Sequence, residues 1–244
     1  MKALYISASP KKSLSVSDYL LDLQRLFAGG GAKERLRTQG DFGRILARLD
    51  EAEAVVFSMP LYVDGVPSHV LAFMQEMEAY CRNRGLAPKV YVLSNGGFIE
   101  GRQSRALMQV FANFCARGGF AFGGGIGIGG GVMVNVLRIL FLVQAALLVI
   151  NTLLNGLILG EWLNVEAIVN FVSQALLIIA LSGGILWYMG GMGRAIRKGK
   201  AFGERYTRIL LPAILFVPIA NVFFAVISLF QGGLFRGWLR MKTE

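Results

Sequence analysis

The chain has 244 residues, of which 55% are hydrophobic and 16% charged, and it carries a formal net charge of +10. This composition is too apolar for an ordinary soluble domain of this length. A single histidine, His69, leaves little material for a Ser-His-Asp triad or a multi-histidine metal site. The two distant cysteines, Cys81 and Cys115, argue against an iron–sulfur or zinc site with CxxC spacing. We therefore expect no metal ion, no catalytic side chain, and two reduced, buried thiols.

Strand-like and helix-like segments alternate through residues 1–131. Strands are predicted at 3–7, 32–37, 54–58, 89–94 and 120–128, and helices at 15–27, 42–49, 67–80 and 102–117. Such alternation is typical of parallel strands joined by crossover helices, so we expect a doubly wound α/β sheet of five strands. Ligands bind such sheets beyond the carboxyl ends of the strands.

Unusual residues follow three of these strands. The first strand leads into Ser9-Pro10-Lys11-Lys12-Ser13-Leu14-Ser15-Val16-Ser17, which opens a helix. Hydroxyl groups and unpaired N–H groups at a helix start bind anions, although Ser15 could equally be an ordinary helix cap. Pro60 to Gly65 follows the third strand and Asn95-Gly96-Gly97-Phe98 the fourth, and Tyr62 and Phe98 offer flat surfaces to a planar ring. The three loops together predict a site for a mononucleotide with a planar head.

These three motifs, in this order, resemble the NAD(P)H-dependent FMN reductase and quinone reductase branch of the flavodoxin-like proteins. The resemblance covers residues 1–131 and implies a sheet of order 2-1-3-4-5 that holds FMN, with NAD(P)H as electron donor. It assigns the FMN phosphate to Ser9, Lys11, Ser15, Val16 and Ser17. It assigns the isoalloxazine ring to Pro60, Leu61, Tyr62 and Val63, and its polar edge to Asn95, Gly96, Gly97 and Phe98.

Two positions differ from the family pattern, since Ala8 and Lys11 stand where many members have Gly and Arg. A lysine binds phosphate as a point charge rather than as a planar fork. The GxGxxG match at 125–130 comes too late in the chain for a dinucleotide fingerprint, and it has no downstream acidic residue. His69 is either structural or a proton-handling group near the flavin.

Residues 132–244 resemble a membrane domain. The segments 139–160 and 167–193 contain no charged residue, which predicts transmembrane helices at about 135–159 and 167–190. The turn between them is acidic, whereas Arg194 to Arg208 is strongly basic and is expected to be a cytoplasmic loop rather than a nucleic-acid surface. A third apolar segment at 209–232 contains Pro212 and Pro218, so it either spans or re-enters the membrane.

The function predicted from these features is a membrane-tethered FMN-dependent NAD(P)H oxidoreductase. It would reside in the cell (inner) membrane with its flavodoxin-like domain in the cytoplasm, and it would pass electrons to a small-molecule acceptor such as a quinone. The alternative is a flavodoxin-like electron carrier or FMN-binding module that serves a membrane partner without oxidising NAD(P)H. A transporter or assembly protein that has lost its ligand is a third reading. Relatives in the family are commonly dimers, so a homodimer stays open.

Overall fold

The structure is a computed structural model that describes residues 2–11, 15–160 and 162–230. The chain forms two compact units. The first, here called the globular unit, contains Met1–Asn135 and Ile179–Ile209, and the second, the apolar unit, contains Val136–Ile178 and Leu210–Glu244. This division differs from the predicted single boundary after residue 131, because a late segment of the chain returns to the globular unit.

Six parallel strands form the sheet of the globular unit: β1 Ala3–Ser7, β2 Ala32–Arg35, β3 Ala54–Pro60, β4 Lys89–Asn95, β5 Phe122–Gly129 and β6 Gly203–Arg208. Their spatial order is 2-1-3-4-5-6. The first five strands have the flavodoxin-like order that was predicted. The prediction of five strands is wrong, because β6 adds to β5 at the edge of the sheet.

Helices connect these strands: α1 Val16–Phe27, α2 Phe42–Leu49, α3 Ser68–Arg84, α4 Arg105–Gly118 and α7 Gly183–Arg197, with short 3-10 helices at Gln39–Asp41 and Gly101–Ser104. Phe57 of β3 lies at the centre of the main apolar core, where its ring contacts those of Phe73 and Phe111. Cys81 and Cys115 are buried in the same core, and burial raises the pKa of their thiols to about 11 and about 12. The two thiols are therefore structural, as expected.

The glycines of β5 are explained by crowding on both sides of the strand. A Cβ atom at Gly123 would lie 2.4 Å from the ring of Tyr91, and one at Gly125 would lie 2.8 Å from the sulfur of Met108. At Gly127 a Cβ would lie 2.7 Å from the ring of Tyr206. The GxGxxG match at 125–130 is thus a packing feature, which agrees with its dismissal as a dinucleotide fingerprint.

The second predicted membrane helix, 167–190, is not one helix. It consists of α6, Val165–Leu181, and α7, which meet at a bend of 67°. α7 packs against α1: its Met189 and Ile196 are buried, and the Met189 carbonyl accepts a hydrogen bond from Gln24 at 3.2 Å. The apolar glycine-rich sequence of α7 therefore serves helix packing.

The basic segment Arg194 to Arg208 is likewise not a loop. Its first residues complete α7, and its last six form β6, whose residues are all exposed or partly buried because β6 is an edge strand. The positive charges are thus distributed over the surface of the folded unit. The clustering of basic residues between Arg194 and Arg208 in the sequence is therefore not evidence for a loop beside a membrane.

α5 spans Gly131–Leu159 and enters the apolar unit at Val136, and α8 spans Ala213–Phe230, with Pro218 inside it. Residues 131–158 of α5 are long and apolar enough to cross a membrane, with a mean hydropathy of 2.3 and only 11% of the most apolar window buried. By the same criteria the bent pair of α6 and α7 counts as one further span at most, and α8 is shorter. The predicted end of the third apolar helix, 231–232, lies outside the described residues.

α5 and α6 contact each other as a helical hairpin, with the rings of Phe141 and Phe171 5.7 Å apart. Polar side chains gather where the hairpin turns. The amide oxygen of Asn151 accepts hydrogen bonds from Asn155 and Asn164 at 2.8 and 3.0 Å. Asn164 also caps α6 by accepting from the N–H of Ala167. These bonds fix the turn between the two helices.

Candidate functional site

The loop after β1 ends in a capped helix start. Ser15 has an extended backbone, and its hydroxyl accepts a hydrogen bond from the N–H of Asp18 at 3.2 Å. The N–H groups of Val16 and Ser17 have no acceptor inside α1, because the first turn of a helix lacks preceding carbonyls. Together with the helix dipole they form an anion-binding end. Residues 12–14 of this loop lie outside the described part of the chain.

Ser17 links this loop to the one after β4. Its hydroxyl donates to the amide oxygen of Asn95 over 2.7 Å, and its carbonyl accepts from the hydroxyl of Ser58, also at 2.7 Å. All three side chains are buried. The side chain of Ser17 therefore links the start of α1 to the loop after β4. Its backbone N–H, in the first turn of α1, is still available to donate to an anion.

The loop after β3 makes a tight turn from Tyr62 to Gly65, closed by a hydrogen bond of 3.0 Å from the N–H of Gly65 to the carbonyl of Tyr62. The two central residues, Val63 and Asp64, have φ values of 48° and 56°. Positive φ at both positions is the pattern of a type I′ turn, which favours Asn and Gly. For the β-branched Val63 it costs about 1–3 kcal/mol. The turn holds this valine side chain fully exposed, at 101%.

The loops after β3 and β4 are tied to each other. Pro60 pairs with Asn95 in the sheet, and the N–H of Leu61 donates to the carbonyl of Asn95 at 2.9 Å. Gly96 lies against Leu61, whereas a Cβ at Gly97 would meet no described atom within 4 Å. Phe98 is 66% exposed. This arrangement leaves open backbone and a free aromatic ring beside the turn at Tyr62.

Charge at the anion-binding end of α1 is balanced locally. Asp18 lies in the first turn and would repel an anion, but Lys33 and Arg35 contact its carboxylate at 2.9 and 3.1 Å. Burial acts to raise the pKa of Asp18, but hydrogen bonds from Lys33 and Ser7 and the nearby positive charges outweigh it and lower that pKa below its ordinary value. The carboxylate thus stays ionised and is neutralised by its two partners.

Arg37 is a further candidate residue that the sequence prediction did not include. Its Nη2 donates to the carbonyl of Lys11 at 3.2 Å, which brings a half-buried guanidinium against the loop after β1. The loop that carries Arg37 is anchored by Asp41, whose carboxylate accepts from the N–H groups of Arg37 and Thr38. The predicted second strand ran through residue 37, whereas β2 ends at Arg35. Because β2 ends at Arg35, Arg37 lies in the following loop, from which its side chain reaches the carbonyl of Lys11.

His69 supports the same loop from the other side. Its Nε2 lies 3.2 Å from the carbonyl oxygen of Ala8. Because a carbonyl only accepts, Nε2 carries the proton in this contact. The contact favours the structural role for His69.

Among the described residues there is no group of three or more His, Cys, Asp or Glu side chains that could hold a metal ion. One cavity of about 210 Å³ lies near Lys2 and Glu51, and another of about 310 Å³ lies near Lys33 and Arg44.

No known family model matches the chain, and no curated protein matches it. Solved structures that resemble it include the Trp repressor binding protein from Bacillus subtilis, with 17% sequence identity and a TM-score of 0.44 over 52% of this chain and 84% of that one. Another is a flavodoxin, WrbA-like protein from Agrobacterium tumefaciens, with 13% identity and a TM-score of 0.42 over 50% and 76%. A third is NAD(P)H:quinone oxidoreductase from Methanothermobacter marburgensis, with 15% identity and a TM-score of 0.41 over 56% and 92%. These values are too low to carry a functional conclusion.

The residues at the three loops fit a ligand that has a phosphate at one end and a planar ring at the other. The phosphate end has the helix N–H groups of Val16 and Ser17 together with the cations Lys11 and Arg37. The ring end has open backbone at Gly97 and the exposed rings of Tyr62 and Phe98. FMN has this combination of groups.

Proposed function

We propose that the globular unit binds FMN at the carboxyl ends of its strands and is an NAD(P)H-dependent oxidoreductase. The observation that carries the proposal is the hydrogen bonding between the three loops. Ser17 joins the helix start after β1 to Asn95 after β4, and the backbone of Asn95 joins Leu61 after β3. The three motifs that resemble flavin reductases thus meet in one place.

In this proposal the N–H groups of Val16 and Ser17 and the charge of Lys11 hold the phosphate. Pro60, Leu61, Tyr62 and Val63 border the ring on one side. Asn95, Gly96, Gly97 and Phe98 border it on the other, with the amide of Asn95 oriented by Ser17. When bound, FMN supplies hydride acceptance from NAD(P)H and electron transfer to an acceptor such as a quinone. The protein binds and orients, so it needs no nucleophile.

We further propose that α5 and the other apolar helices tether the protein to the cell (inner) membrane, with the globular unit in the cytoplasm. Support comes from the exposed apolar surface of α5, where Leu142, Ile150 and Leu157 are among many side chains more than half exposed. A contiguous apolar surface of this extent requires a partner. Since the chain leaves the globular unit after residue 135 and returns at residue 179, α5 and α6 together cross a membrane an even number of times.

Spectroscopy of the detergent-purified full chain tests the proposal. We expect flavin absorption bands, or quenching of added FMN fluorescence at micromolar concentration, followed by bleaching of the flavin when NADPH or NADH is titrated anaerobically. If FMN binds but neither nucleotide bleaches it, the proposed NAD(P)H oxidoreductase activity is refuted and the electron-carrier alternative is favoured. Well-folded protein that binds no FMN would refute the proposal.

A further inference from the structure

The chain first leaves the globular unit at the carboxyl edge of the sheet, the edge at which the parallel strands end. β5 ends at Gly129, and the next residues stay beside the loop after β4. The N–H of Gly130 donates to the carbonyl of Phe98, and that of Gly131 donates to the carbonyl of Gly96 at 2.8 Å. α5 therefore begins next to the proposed flavin loops.

The chain returns to the globular unit at the same edge. A Cβ at Gly184, in the first turn of α7, would lie 2.7 Å from the hydroxyl of Thr207 near the end of β6. The other end of α7 lies at the opposite, amino edge, where the carbonyl of Gly199 accepts from Lys89 at 2.6 Å and the N–H of Phe202 donates to Gly123 at 2.7 Å. α7 thus runs from the carboxyl edge to the amino edge.

The last departure is also at the carboxyl edge. β6 ends at Arg208, which pairs with Gly129, the last residue of β5. Ile209 is the last residue of the globular unit before α8. All three passages between the globular unit and the apolar segments therefore lie at the edge that carries the loops after β1, β3 and β4.

Exposed aromatic and apolar side chains lie at this edge as well. Tyr62, Val63 and Phe98 project from its loops. Trp187 is 74% exposed on α7, about 6 Å along the helix from Gly183 at 1.5 Å per residue. Tyr and Trp side chains concentrate at membrane–water interfaces. Exposed basic residues occur at both edges, for example Arg102 at the carboxyl edge and Lys198 at the amino edge, so charge does not separate the two.

We infer that the carboxyl edge of the sheet faces the lipid bilayer, with Tyr62, Phe98 and Trp187 at the level of the lipid head groups. The inference rests on the proposed membrane insertion of α5 and deepens the proposed function. A flavin held at this edge opens toward lipid, so its electron acceptor belongs to the class of lipid-soluble, planar redox molecules that diffuse within the bilayer. Water-soluble NAD(P)H reaches the same flavin from the side of the head groups.

The test measures depth at three positions of the full chain in nanodiscs. Single cysteines at Asp64→Cys, Glu51→Cys and Leu147→Cys carry an environment-sensitive fluorophore, and a matched set of nanodiscs contains lipids with a nitroxide just below the head group. Asp64 lies at the exposed tip of the carboxyl-edge turn, Glu51 at the amino edge before β3, and Leu147 in α5. The native thiols are buried and stay unlabelled. Val63→Cys is the second tip variant if Asp64→Cys does not fold.

We expect the tip label to lose more than about half of its emission in nitroxide discs, because the head-group layer is only about 5–7 Å thick. The Glu51 label lies roughly 20 Å away, the length of a strand at about 3.3 Å per residue, and should lose less than about a tenth. Equal, weak quenching at the tip and at Glu51, with a lipid-like emission maximum for the label at Leu147, would overturn this inference and leave the tether intact. A water-like emission maximum at Leu147 would overturn both the tether and the inference.

Discussion

Replacing Gly193 by alanine tests whether α7 belongs to the globular unit. A Cβ at this position would lie 2.7 Å from the carbonyl oxygen of Phe27 and 2.8 Å from its carbon. These are backbone atoms at the end of α1, so they cannot move aside as a flexible side chain would. Gly190 lies one turn earlier on the same helix, and a Cβ there would meet no described atom within 4 Å. The two substitutions are chemically identical and differ only in this contact.

Overpacking costs about 1–3 kcal/mol, and glycine-to-alanine in a helix gains about 1 kcal/mol in both variants. We expect the free energy of unfolding of G193A to be about 1–3 kcal/mol lower than that of G190A, and its Tm to be roughly 2–12 °C lower. A thiol-reactive fluorogenic dye measures this Tm selectively, because Cys81 and Cys115 are buried in the globular unit and become reactive only when it unfolds. Equal Tm values for the two variants would refute the packing of α7 on α1, and with it the correction of the predicted membrane helix.

Three further outcomes follow from the site. Ser17→Ala leaves the amide oxygen of Asn95 buried without its donor, which costs about 2 kcal/mol, or roughly 4–8 °C in Tm, and weakens binding of both FMN and riboflavin. The matched control Ser104→Ala removes the buried hydrogen bond to Ser94 and should lower Tm without changing flavin affinity. Arg37→Ala should weaken FMN binding by about tenfold, as expected for a hydrogen bond to a charged group, and leave riboflavin binding unchanged, since riboflavin has no phosphate; an equal loss for both flavins in titration would contradict a phosphate role. Asp18 has a lowered pKa, so its contribution to folding stability is present above pH 3.8, its ordinary pKa, and is lost as the pH falls through the lowered pKa. The difference in Tm between wild type and Asp18→Asn, followed by circular dichroism, should therefore disappear on acidification. A difference that stays constant would argue against this ion pair.

The first five strands could be predicted from sequence because their periodicity is local. Buried runs such as Ala54–Pro60 are apolar throughout, since helices cover both faces of the sheet. β6 could not be predicted in the same way. Its sequence, Gly203 to Arg208, is polar and short, and it is a strand only because the edge of β5 offers it a ladder of hydrogen bonds.

α7 was interpreted as membrane-spanning for a related reason. Its apolar and glycine-rich residues satisfy a hydropathy criterion, but the same composition suits a helix that packs closely on α1. A membrane-spanning helix and a helix packed on α1 differ here only in the bend between Leu181 and Gly183. That bend depends on tertiary contacts.

The convergence of the candidate loops was predictable, whereas the contacts between them were not. Loops at strand ends converge by topology alone, so Tyr62 and Asn95 could be assigned from the chain order. The bond from Ser17 to Asn95 joins residues 78 positions apart, and it depends on how α1 lies on the sheet. The contact of Arg37 depends on where β2 ends, which local sequence specifies weakly.

The return of the chain to the sheet after α6 has a consequence for biosynthesis. The ribosome must add about 80 residues between the end of β5 and the end of β6, which takes roughly 4–16 s at the usual rate of synthesis. During that interval α1 lacks its partner helix and β5 is an open edge. Completion of the globular unit therefore waits until the hairpin of α5 and α6 has been synthesised, because α7 and β6 follow it in the chain. A chain that stops before β6 would be left with an unfinished sheet that quality-control proteases can recognise.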